Sequence, residues 1–95
     1  MLNSYENFVR DNWSYKGSDH VAYCAVALGG EAGEVLNEVK KSMRSGENRM
    51  PQVCDELGDT LHYLTRLGQL HGYSLEDIMD FNMTKLTLRK VKTSA

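Results

Sequence analysis

Ninety-five residues suffice for one domain, and a chain of that length leaves much of its surface wet unless another body covers it. A composition of 41% hydrophobic and 25% charged residues argues against a disordered chain, and no apolar run approaches the ~20 residues of a membrane span. The formal net charge of −2 supplies no bulk attraction to nucleic acid or to anionic lipid, so any phosphate binding has to be local. The polar start from Met1 to Arg10 lacks the features of a secretory signal, which predicts a cytoplasmic protein and a single domain spanning 1–95. Cys24 and Cys54 have neither C-x-x-C spacing nor a companion His and Cys set, so they read as reduced, buried thiols.

The apolar period is helical throughout. A first helix is predicted over about Ser4 to Trp13, followed by a loop from Ser14 to Ser18. Asp19 or Ser18 can cap a second helix running to about Arg44, with Val21, Ala25, Leu28, Ala32, Val35, Leu36, Val39 and Met43 as its apolar stripe. Ser45-Gly46-Glu47-Asn48 is a turn-forming stretch. Pro51 suits the first turn of a third helix, where its missing N–H leaves no bond unmade, and Gly72 is placed to terminate it. The leucines of that helix, from Leu57 to Leu70, span an arc wide enough to predict a homodimer or homotetramer. Ser74-Leu75-Glu76-Asp77 resembles a capping box that opens a fourth helix to about Lys90, with a frayed tail after Val91. The expectation is an all-α, four-helix bundle.

Glu31, Glu34 and Glu38 are spaced three and then four residues apart, so they share one stripe of the second helix, beside its apolar face. Glu56 and Asp59 repeat the device on the third helix, with Tyr63 four residues further on. A lone acidic pair is ordinarily a solvated surface charge. Here each pair has a further acid, Glu38 or Asp55, within a helical turn instead of a relieving cation. Gathering such carboxylates near a core is costly without a cation between them, and oxygen-only donors favour a hard ion, Mg²⁺ or Mn²⁺. Gly29, Gly30, Gly33 and Gly58 sit inside these helices, each at a cost on the order of 1 kcal/mol relative to Ala, which points to close approach of either another helix or a ligand.

The stretches Gly30-Glu31-Ala32-Gly33-Glu34-Val35 and Glu56-Leu57-Gly58-Asp59 resemble the E-x-x-E and E-x-x-D signatures of the MazG-like all-α nucleoside triphosphate pyrophosphohydrolases. Asn82-Met83-Thr84-Lys85-Leu86-Thr87-Leu88-Arg89 is similar to their N-x-x-K-L-x-x-R segment. The resemblance implies that Glu31, Glu34, Glu56 and Asp59 hold Mg²⁺, and that a nucleoside triphosphate is split into its monophosphate and pyrophosphate in nucleotide-pool control. It implies no nucleic-acid or membrane partner.

Within that expectation, Asn82, Lys85 and Arg89 share a face that could hold phosphate, as could Lys41, one turn beyond Glu38. Tyr63 is the candidate for touching sugar or base, with Trp13 and Tyr15 as further aromatic surfaces. Glu34 or Glu38 is the candidate catalytic base. Phosphoribosyl-ATP and dUTP- or dCTP-specific pyrophosphohydrolases share the expected chemistry. From other classes, a non-catalytic helical nucleotide-binding module remains open, as does a di-iron carboxylate bundle, since Asp59 and His62 stand three apart.

Overall fold

A computed structural model describes residues 1–94, with side chains through Lys92. It is all-helical: α1 (Leu2–Asp11), α2 (His20–Ser45), α3 (Met50–Leu70) and α4 (Leu75–Ser94). Local chemistry sets most of the boundaries. Asn12 caps the end of α1, its Nδ2 donating to the Phe8 carbonyl at 2.9 Å beside its own N–H at 3.0 Å, and Trp13 lies outside the helix. The Asp19 carboxylate caps α2 by accepting from the Ala22 N–H at 3.0 Å. Gly46 closes the same helix with φ 74°, a left-handed conformation natural to glycine, and its N–H reaches the Ser42 carbonyl at 2.8 Å.

Pro51 lies in the first turn of α3, as its sequence context predicts. The box at the start of α4 is reciprocal: Ser74 N–H donates to Asp77 Oδ2 and Asp77 N–H donates to Ser74 Oγ, each at 3.0 Å. A second carboxylate joins from the far end of the chain, where buried Glu6 of α1 accepts from the Leu75 N–H through Oε1. The tail does not fray after Val91, because α4 continues to Ser94. No helix breaker lies there, and Lys92 suits the carbonyl end of a helix.

The long helices α2 and α3 form an antiparallel hairpin. Their contacts step in opposite directions along the chain: Cys24 Sγ lies 3.7 Å from the Tyr63 carbonyl, Glu31 meets Glu56, and Glu38 meets Arg49 at 2.7 Å. The first helix crosses α3, and Gln69 Nε2 donates to the Glu6 carbonyl at 2.8 Å. The fourth helix packs on α1 and α3 and not on α2. Gly68 permits that approach, since a Cβ there would lie 2.8 Å from Ile78 Cδ1 and 3.2 Å from the Tyr73 carbonyl.

The interior of the single chain is small. Among the described residues its buried apolar side chains are Val9, Cys24, Val53 and Leu75. Much of the predicted α2 stripe lies on the surface, with Leu36 71% and Met43 82% exposed. The radius of gyration is 16.2 Å, where a compact chain of this length has roughly 12 Å. No helix among the described residues is long and apolar enough to cross a membrane.

Candidate active site

The hairpin brings three of the four expected acids together. Ligating oxygens of Glu31 from α2 and of Glu56 and Asp59 from α3 lie within 4.8 Å of one another. Glu31 and Glu56 are half-buried and Asp59 is exposed. Loss of water raises the Glu56 carboxyl above its ordinary pKa, and a hydrogen bond that its protonated form donates to the Glu31 carboxylate raises it further. The negative charges of Glu31, Asp59 and Glu34 act in the same direction, so Glu34 belongs to the neighbourhood although it stands outside the close trio. The trio offers oxygen donors and no histidine, a set suited to a hard divalent cation and unlike the carboxylate-histidine elements of a di-iron bundle.

A cavity of about 450 Å³ opens beside these acids, walled by Glu31, Asp59, His62 and Tyr63 on one side and by Tyr5 and Phe8 of α1 on the other. Gly58 forms part of the wall, and a Cβ built there meets nothing within 4 Å. The same holds at Gly29, Gly30 and Gly33, so within the chain these glycines do not mark tight helix packing. Burial and the nearby Asp59 charge both push the Tyr5 hydroxyl pKa up. Tyr63 is raised first by burial and then by its hydrogen bond with Tyr23, with the charges of Tyr23, Glu31 and Asp59 adding.

Glu38 stands apart from this arrangement. It is buried, with Oε2 accepting from Arg49 Nε at 2.7 Å and Oε1 accepting from Lys41 Nζ at 3.2 Å. The Arg49 hydrogen bond is the main cause holding its carboxyl below the usual range. The expectation that Glu38 serves as base and Lys41 as a phosphate ligand therefore meets a pair already bound to each other, tying α2 to the start of α3.

The cations of α4 are also elsewhere. Lys85 and Arg89 line a cavity with Asp80 and Phe81, while Asn82 faces an apolar groove of about 530 Å³ shared with Tyr5, Leu61 and Leu75. The chain by itself does not bring Asn82, Lys85 or Arg89 to the carboxylates.

Trp13 and Tyr15, named above as aromatic surfaces, close into a cluster with His20, Tyr23, His62 and Tyr63. Trp13 Nε1 donates to His20 Nδ1 at 2.9 Å, and Arg66 lies over the indole at 5.3 Å. Cys24 is buried as expected, but Cys54 is exposed because it falls on the outer face of α3.

Residues 21–93 match the family model of the MazG nucleotide pyrophosphohydrolase domain. The chain belongs to this family. It is also 33% identical over 75 residues to the Gene 37 protein of Mycobacterium phage L5, an alignment covering 74% of this chain and 66% of that protein. The chain thus spans slightly less than two thirds of the relative's length. No solved structure matches. The MazG match takes in both acidic pairs and the Asn82 to Arg89 segment, whereas Tyr5 and Phe8 precede it. Those two wall residues were missed in the sequence because aromatic residues three apart on an amphipathic helix read equally well as core. The signal that could have found them is Glu6 and Val9, which point α1 inward and leave Phe8 at the edge.

Proposed function

We propose that the chain is a Mg²⁺-dependent nucleoside triphosphate pyrophosphohydrolase, with Mn²⁺ able to substitute, producing nucleoside monophosphate and pyrophosphate in nucleotide-pool control. The observation that carries this reading is the meeting of Glu31, Glu56 and Asp59, of which Glu31 and Asp59 line an open cavity, within a chain of the MazG family. Carboxylates gathered this closely, with the Glu56 carboxyl raised by its neighbours, suit a divalent cation, which would neutralise phosphate charge when bound. Glu31, Glu56 and Asp59 would hold it, with Glu34 as a fourth donor.

In the reaction proposed, the α–β anhydride bridge of the triphosphate opens. The oxygen of a water joins one phosphorus, a water proton passes to a carboxylate, and the bridging oxygen leaves with the other phosphorus. Glu34 is the better base of the two considered, since Glu38 is engaged by Arg49 and Lys41. Tyr63, already on the cavity wall, would contact the sugar.

The reading includes a homodimer or homotetramer. Val26, Leu36 and Met43 on α2, together with Phe81 and Leu88 on α4, leave more apolar surface wet than an isolated domain of this size ordinarily carries. Assembly would also give Asn82, Lys85 and Arg89 a route to phosphate that they lack within one chain.

The test is direct. The pure protein is incubated with Mg²⁺ and each ribo- and deoxyribonucleoside triphosphate, and with phosphoribosyl-ATP, and the products are resolved by ion exchange. Monophosphate with pyrophosphate supports the reading and reveals the preferred base and sugar; nucleoside diphosphate as the main product refutes it.

A further inference from the structure

We infer that Phe8, backed by Tyr5, is the surface on which the base of the bound nucleotide stacks, and that Trp13 is not. The inference rests on the nucleotide reading above and assigns the part of the site that reading leaves open. A metal-bound triphosphate lies against Glu31 and Asp59, so its nucleoside has to run along another wall of the same cavity. That wall is aromatic. Tyr5 and Phe8 line the cavity together, their rings inclined by only 23° with centroids 6.5 Å apart, and Phe8 is 57% exposed. A large aromatic ring left that wet beside a polar cavity offers a flat apolar face that a base can cover.

The other aromatic residues nearby are already engaged. Tyr15 lies flat on Tyr23, with centroids 3.9 Å apart and an interplanar angle of 10°. Trp13 is packed by four rings, those of His20, Tyr23, His62 and Tyr63, and by the Arg66 guanidinium, and its Nε1 proton is held by His20. Stacking a base on Trp13 would require breaking that cluster, whereas stacking on Phe8 disturbs no contact but solvent. Tyr5 has the supporting role. Its ring lines the cavity with Asp59 and stacks beside Phe8, which sets the Phe8 face next to the acidic wall.

The experiment measures binding, so that it does not depend on turnover. Calorimetry with Mg²⁺ compares a nucleoside triphosphate analogue carrying a non-hydrolysable α,β bridge with inorganic tripolyphosphate, which has the phosphates and no base. Phe8→Ala should weaken the analogue about tenfold or more while leaving tripolyphosphate within about twofold, and Phe8→Trp should restore the analogue. Equal weakening of both ligands, or none of either, overturns the inference, as does a change in the molecular mass of Phe8→Ala by light scattering, which would assign the ring to a contact between copies. The two readings fail separately. If the wild type binds the analogue through Phe8 but never hydrolyses triphosphates, only the hydrolase reading falls; if it hydrolyses them and Phe8→Ala binds normally, only the stacking falls. A wild type that binds neither ligand overturns both.

Discussion

Glu38 of α2 and Arg49 at the threshold of α3 meet at 2.7 Å, with Glu38 buried, so the tightest ion pair in the described residues closes the turn of the hairpin on which the acids stand. The pair holds the hairpin ends together and takes no part in the acid cluster.

Replacing Glu38 with Gln should therefore lower the melting temperature, on the order of 5 °C, with catalysis by the folded fraction retained. The pH dependence follows from the direction of its shift. The folded carboxyl is held below its ordinary value, so its contribution is present above the unfolded pKa, near 4.5, and disappears as pH falls through the lower folded one. Melts from pH 7 to pH 3 should show wild type and Glu38→Gln converging at the acid end. Parallel curves down to pH 3, or loss of turnover in well-folded Glu38→Gln, would return Glu38 to the chemistry.

For Glu56 the sign is reversed. Its folded carboxyl is raised, so the protonated form is the one favoured by folding, and the metal-free protein gains stability as pH falls through that raised value. Glu56→Gln should imitate the protonated state and melt higher than wild type in chelator, while gaining less from added Mg²⁺. Turnover should fall at least about a hundredfold in Glu56→Gln and in Asp59→Asn. Variants that melt lower in chelator and turn over normally would make these acids structural.

Gly58 separates helix stability from access to the cavity. Gly58→Ala meets no atom within 4 Å and removes a flexible residue from the middle of α3, so it should stabilise by about 1 kcal/mol. Gly58→Leu should keep the helical gain but fill the cavity wall and raise KM about tenfold or more. A drop in melting temperature for Gly58→Ala would mean that another backbone, from a second copy, approaches there.

Lys85→Ala and Arg89→Ala should leave the melting temperature nearly unchanged, because both residues are exposed. If they reach phosphate through assembly, each should weaken substrate binding, and light scattering at micromolar concentration should give the mass of two or four chains. A monomeric mass combined with normal substrate binding in both variants would remove them from the site.

Much of this architecture was legible because its signals are local. Asp19, Gly46, Pro51 and the Ser74–Asp77 box each act within a few residues, and the three-residue spacing within Glu31/Glu34 and Glu56/Asp59 is enough to put each pair on one face. What escaped the sequence depended on distant partners. Asn12 looks no different from other residues that continue a helix, yet it caps α1, and Trp13 packs instead among rings from α2 and α3. Glu38 has the same spacing as its neighbours, and only the fold shows that Arg49 claims it. The stripe on α2 was visible, but periodicity records that a face is apolar without recording whose atoms will cover it.

Glu6 also bears on the order in which the chain is made. Its carboxylate is synthesised with the first helix, yet the N–H it accepts from belongs to Leu75, 69 residues later. During translation α1 must therefore carry an acceptor met only by water until Leu75 has emerged. Correct seating of α1 is then coupled to the arrival of α4. A substitution at Glu6 would consequently act on α4, displacing the start of a helix whose own residues are unaltered.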